Sequence, residues 1–71
     1  MITVYGQPNC MQCNMTKKVL TDEGIPFKEI DVSQDEQALE YVKSLGFESL
    51  PVVEIEGEEP FYGFRPDRLL K

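Results

Sequence analysis

The feature that most restricts what this chain can fold into is a pair of cysteines, Cys10 and Cys13, with Met11 and Gln12 between them. They fall where the short apolar run Ile2-Thr3-Val4-Tyr5 gives way to a helical pattern. Gly6 and Pro8 supply a tight loop between the two. A strand, a loop and a helix opened by a cysteine together form a thiol-activating arrangement.

The rest of the chain builds a fold around that junction. Met15, Val19 and Leu20 predict one face of a helix over residues 11–23, with Gly24 as its C-cap. Ile25-Pro26 leads into Phe27-Lys28-Glu29-Ile30-Asp31-Val32, spaced as a strand. Ser33 is the expected N-cap of a second helix, with Glu36 completing a capping box. Ala38, Leu39, Val42 and Leu45 form its apolar face and Gly46 ends it. Leu50 to Ile55, containing Pro51-Val52-Val53, reads as a third strand, which Glu56-Gly57 turns into a fourth through Phe61. Gly63 closes that strand, and Arg65-Pro66-Asp67 opens a last short helix. The order βαβαββα predicts an α/β fold: a four-stranded mixed sheet flanked by three helices. Its first two strands run parallel and its final hairpin is antiparallel. Residues 1–71 are expected to form one small domain, of a size that buries about 60% of the surface its unfolded chain exposes.

Charge and composition exclude several functions. The net charge of −6, from 13 acidic and 7 basic residues, argues against nucleic acid, whose binding needs Lys and Arg on phosphates. It serves solubility instead. No apolar run approaches the ~18 residues of a membrane span. Met1 runs directly into strand-like sequence without a secretory pattern, so a cytoplasmic protein is expected. Lys17 and Lys18, one and two turns beyond the cysteines, read as solvated side chains.

A closed zinc site needs four ligands, and a chain with 2 Cys and 0 His cannot complete one. That leaves a structural disulfide, two buried thiols, or redox chemistry. A disulfide closing a loop of about four residues contributes roughly 2 kcal/mol before strain is subtracted. Redox chemistry fits best, because C-x-x-C beside a βαβ pattern is its expected signal. Exchange needs a thiolate, and a free cysteine with a pKa of about 8.5 is mostly protonated at neutral pH. The unpaired N–H groups and dipole at a helix N-terminus favour the negative form. Cys10 sits there and is expected to attack; Cys13, one turn deeper, can resolve the resulting mixed disulfide.

Three segments, Cys10-Met11-Gln12-Cys13, Ser49-Leu50-Pro51-Val52-Val53 and Gly63-Phe64-Arg65-Pro66-Asp67, closely resemble those of the thioredoxin-fold superfamily. Within it they resemble the glutaredoxin-like branch and its NrdH-redoxins. The similarity spans essentially the whole chain. It implies a thioredoxin-like, glutaredoxin-type fold in which Pro51 is a cis-proline facing the cysteines. The backbone of Leu50 would pair with the bound substrate segment, and Gly63 and Phe64 would complete the substrate site. Glutaredoxins that use glutathione typically carry a basic residue where this chain has Gln7, and a second glycine where it has Phe64. Both differences move the resemblance toward NrdH-redoxins, which thioredoxin reductase reduces and which donate electrons to class Ib ribonucleotide reductase. Phe61-Tyr62-Gly63 stands where those proteins commonly carry Trp-Ser-Gly.

The expected activity is therefore a dithiol protein-disulfide reductase, monomeric and needing no bound cofactor. The rival readings are a glutathione-dependent glutaredoxin and a non-catalytic, redox-responsive binding module.

Overall fold

Alternation along the first strand divides the interior into two halves. In β1 (Ile2–Gly6), Ile2 and Val4 point to one side and Tyr5 to the other, as the period of two in a strand requires. The computed structural model describes residues 1–70. After β1 come α1 (Met11–Asp22), β2 (Phe27–Asp31), α2 (Glu36–Ser44), β3 (Val52–Ile55), β4 (Phe61–Tyr62) and α3 (Pro66–Leu69). The expected βαβαββα order is realised, and no helix among the described residues is long and apolar enough to cross a membrane.

The strands form one mixed sheet in the order β2-β1-β3-β4. β1 pairs parallel with β2, placing Tyr5 beside Ile30. β3 pairs antiparallel with β1, and β4 with β3, so that Val53 lies between Val4 and Phe61 while Val52 lies between Tyr5 and Tyr62. One face carries Ile2, Val4, Val53 and Phe61 against Leu20 of α1 and Leu69 of α3. The other carries Tyr5 and Val52 against Val32 and against Ala38 and Val42 of α2. Burying each such Val or Leu contributes about 1.5–3 kcal/mol. The sheet thus separates two apolar layers, and the cysteines lie at one end of the first.

Three local expectations are corrected. Ser33 does not cap α2. The Asp31 carboxylate takes both the Ser33 N–H (2.9 Å) and its hydroxyl (2.5 Å), which holds Ser33 in a turn at the end of β2. The helix starts later, where Asp35 accepts the Ala38 N–H at 3.1 Å. Asp35 and Glu36 then set two negative charges at the helix start, where the dipole favours them. Met15 does not belong to the inward face of α1 and is 41% exposed. That face is Cys13, Thr16 and Leu20, and Thr16 can occupy it because its hydroxyl donates to the Gln12 carbonyl at 2.9 Å. Gly6 is not a loop residue but the buried last residue of β1.

Candidate active site

With Gly6 in the strand, the turn into α1 is made by Pro8 and Asn9. Asn9 takes a φ of 61°, in the left-handed region that asparagine tolerates better than most residues. The chain arrives at Cys10 in an extended conformation, and Cys10 is the N-cap of α1. Its sulfur fills the role usually taken by a Ser or Asp oxygen: Cys10 Sγ accepts the Cys13 N–H at 3.2 Å. The dipole and unpaired amides of the first turn therefore converge on this sulfur.

The two sulfurs are joined in a disulfide with 5.2 Å between the Cα atoms, yet their surroundings differ. Cys10 is half-buried with its edge in solvent, and Cys13 is 1% exposed. Cys13 owes its seat to the end of β1, where a Cβ on Gly6 would stand 3.0 Å from Cys13 Sγ. No other residue fits there without moving the sulfur.

Of the expected substrate residues, Leu50 lies beside Cys10. The Leu50-Pro51 peptide bond is cis, and the Leu50 carbonyl oxygen lies 4.0 Å from Cys10 Sγ. Gly63 donates its N–H to the Pro51 carbonyl at 2.8 Å. Its φ of +83° suits a residue without Cβ, and an added Cβ would lie 3.6 Å from Gln12 Oε1. Phe64 follows, half-buried. Residues 10–13 and 50–51, distant in sequence, thus meet at the Cys10 sulfur, and Gly63 is tied to them through Pro51 and Gln12. Beyond Leu50 a groove of about 590 Å³ runs between α2 and the following loop, lined by Gln7, Leu39, Phe47, Ser49 and Leu50 among others. Phe47 stacks at a tilt on Tyr62, with 5.4 Å between ring centroids.

Behind the thiols lies a second space. A cavity of about 180 Å³ is lined by Gly6, Cys13, Asn14, Lys17, Glu29 and Asp31 among others. Lys17 is not the solvated side chain its position suggested. It is half-buried and paired with Glu29 of β2 at 2.6 Å, while Lys18 is exposed and bound to Asp22 at 3.0 Å. Sequence reasoning missed Gly6, Thr16 and Glu29 here. Thr16 was findable from its i+3 spacing to Cys13; Glu29 was not, since only the parallel pairing of β1 and β2 brings it to α1.

Displaced titrations lie away from the thiols. A hydrogen bond to Glu54 pushes the Tyr41 phenol up to about 12, and Tyr5 is raised mainly by burial. A hydrogen bond from Arg65 holds Asp67 below the usual carboxylate range. Among the described residues, no group of three or more His, Cys, Asp or Glu side chains is placed to hold a metal ion.

Comparison with known proteins places this arrangement. The glutaredoxin family model matches residues 2–59. The glutaredoxin-like protein NrdH of Lactococcus lactis subsp. cremoris is 42% identical over 71 residues, covering 100% of this chain and 97% of its own. The Escherichia coli K12 protein of the same name is 40% identical over 68 residues, covering 96% and 83%. A solved structure of E. coli NrdH-redoxin superposes with a TM-score of 0.90 at 40% identity, over 96% of this chain and 88% of that one. With a thioredoxin-like fold and a cysteine pair at the head of α1, the chain belongs to the glutaredoxin family, among its NrdH-redoxins, and is a thiol–disulfide oxidoreductase.

Proposed function

We propose that the chain is a dithiol electron donor to protein disulfides, with Cys10 as nucleophile and Cys13 as resolving thiol. The Cys10 thiolate attacks one sulfur of the partner's disulfide; that S–S bond breaks and the other partner sulfur leaves as a thiolate and takes up a proton. Cys13 then loses its proton and attacks Cys10 Sγ. The mixed disulfide breaks, the second partner sulfur leaves, and Cys10–Cys13 becomes the disulfide. Two electrons pass to the partner. The bound partner segment lies along the backbone of Leu50, beside Pro51, Gly63 and Phe64, pairing as an added strand.

The observation that carries this reading is the asymmetry of the pair: a solvent-edged, amide-capped Cys10 sulfur next to the Leu50 carbonyl, with Cys13 buried one turn below. The E. coli NrdH-redoxin is described as having a thioredoxin-like activity profile, and Gln7 and Phe64 offer no charged group for a glutathione carboxylate. We therefore assign thioredoxin reductase as electron source and class Ib ribonucleotide reductase as acceptor, the protein acting as a monomer.

A coupled NADPH-consumption assay tests both ends. Thioredoxin reductase is expected to drive reduction of insulin and of an oxidised class Ib ribonucleotide reductase, and glutathione with its reductase to drive little. Turnover with glutathione alone would overturn the assignment of the electron source. For Cys13→Ser, a trapped mixed disulfide with the partner is expected; full turnover of that variant would sink the dithiol mechanism.

A further inference from the structure

The resolving thiol presents a physical difficulty. Cys13 is 1% exposed and must give up a proton to attack, while burial favours the neutral thiol. The amides that help Cys10 do not help here, because the first-turn N–H of Cys13 is already directed at Cys10 Sγ. Stabilisation has to come from the side facing away from the partner, and that side is the cavity of about 180 Å³.

We propose that the Lys17–Glu29 pair, which lines this cavity together with Cys13, sets the ionisation of the resolving thiol. Lys17 favours the Cys13 thiolate and Glu29 tempers that effect. Both are positioning residues, and the proposal rests on the assignment of Cys13 as resolver. Lys17 lies four residues after Cys13 on α1, so the two share a helix face. Its ammonium lies 2.6 Å from the Glu29 carboxylate, with the two side chains 31% and 50% exposed. Among the described residues, the ionisable groups lining the cavity are Cys13, Lys17, Glu29 and Asp31. β1 contributes Val4 and Gly6, which carry no charge. Arg65, Asp67 and Arg68, on α3 and its N-cap, do not line it, and Arg65 is paired with Asp67 at 3.3 Å. Lys17 is then the cation in the lining of the cavity that Cys13 also lines, with Glu29 and Asp31 as opposing anions. A bridge this exposed adds little to stability, so what its loss changes is the electrostatics of the cavity.

The two members make predictions of opposite sign. The reduced protein is mixed with excess Ellman's reagent in a stopped-flow instrument. The first nitrothiobenzoate is released as Cys10 attacks and the second as Cys13 resolves, and the pH profile of the second phase reads the ionisation of Cys13. Lys17→Gln is expected to move that profile up, and Glu29→Gln to move it down. Each shift is about half a pH unit, or about three-fold in rate below the midpoint, because both groups are partly screened by solvent. Added salt should shrink both shifts. The first phase serves as the internal measure of an intact site and should keep its rate in both variants. Shifts in the same direction, or none in either variant, would overturn the proposal and leave the dithiol mechanism standing. A parent protein that releases only one equivalent, like Cys13→Ser, would remove the mechanism and this inference together.

Discussion

The surroundings of Cys10 and Cys13 are made of different materials, although the two residues occupy one helical turn. Cys10 is surrounded by backbone: the amide of Cys13, the carbonyl of Leu50, and the Pro51–Gly63 hydrogen bond behind it. Cys13 is surrounded by side chains, or by the lack of one: Gly6, Thr16 on its own helix face, and the Lys17–Glu29 pair across the cavity. Backbone groups survive substitution and side chains do not. The reactivity of the attacking sulfur should therefore resist mutation of its neighbours, whereas the resolving sulfur should be tunable at several positions.

Removing the attacking sulfur itself breaks the comparison outright. Cys10→Ser leaves the cap geometry nearly in place, since a hydroxyl is a good N-cap acceptor, but a hydroxyl is a far weaker nucleophile than a thiolate. Insulin reduction is expected to fall by on the order of 10³-fold or more, while thermal unfolding of the reduced protein changes little. A Cys10→Ser protein that still reduced insulin through Cys13 would show that the two sites are interchangeable.

Gly6→Ala sharpens the other side. The added methyl would meet Cys13 Sγ at 3.0 Å and its Cβ at 3.3 Å, an overpacking of the kind that costs about 1–3 kcal/mol. In the disulfide the sulfur is pinned, whereas in the dithiol it can turn away, so the oxidised form bears more of that cost. The reduction potential is expected to rise by roughly 20–60 mV, taking about 1.4 kcal/mol per 30 mV. Equilibration against glutathione redox buffers measures it. A potential unchanged within 5 mV or so, on the scale of the same conversion, would mean that the end of β1 yields freely.

These two substitutions also mark how far the sequence could be read. Cys10 and its place at the helix start were legible because the strand-to-helix change and the C-x-x-C spacing are local signals. The topology was legible for the same reason, as each element carries its own periodicity. Gly6 misled, because a glycine two residues before a proline resembles a loop; only the packing of α1 on β1 shows that it is there to admit a sulfur. Ser33 misled through competition, since Asp31 captured its hydroxyl and amide before the helix could. The cis state of Leu50-Pro51 and the meeting of Gly63 with Pro51 depend on tertiary closure, which no local signal around Pro51 encodes. Resemblance supplied what local physics could not.

Thr16→Val is a milder probe of the resolving side. The substitution keeps the branched shape at a fully buried position and deletes a hydroxyl whose acceptor, the Gln12 carbonyl, is one turn back on the same helix. No buried partner is stranded, because that carbonyl also receives a helical amide. A stability change within about 1 kcal/mol is expected by denaturant titration. A loss of several kcal/mol would show that Thr16 holds more of the Cys13 seat than one local hydrogen bond.

The smallest effect belongs to a place outside both environments. Tyr41 donates to Glu54, and that bond raises its phenol to about 12, while its ring packs at a tilt on Tyr5 with 5.6 Å between centroids. The folded pKa lies above the unfolded value of 10.0, so the folded state holds the proton more tightly. The contribution to stability is complete below pH 10 and is lost as pH rises through about 12. Tyr41 is 38% exposed, so solvent screening keeps the energetic size of this contribution small. Glu54→Gln removes the carboxylate acceptor, and the late phenolate absorbance near 295 nm should move down toward the ordinary tyrosine range. Both release phases of the thiol reaction should stay as they were, because the Tyr41–Glu54 contact joins α2 to β3 and lines neither the Cys13 cavity nor the Cys10 rim. If the resolving phase moved along with the phenol, charge on the α2 face of the sheet would be reaching Cys13 through β1. The separation of the α2 layer from the Cys13 cavity by the sheet would then be incomplete.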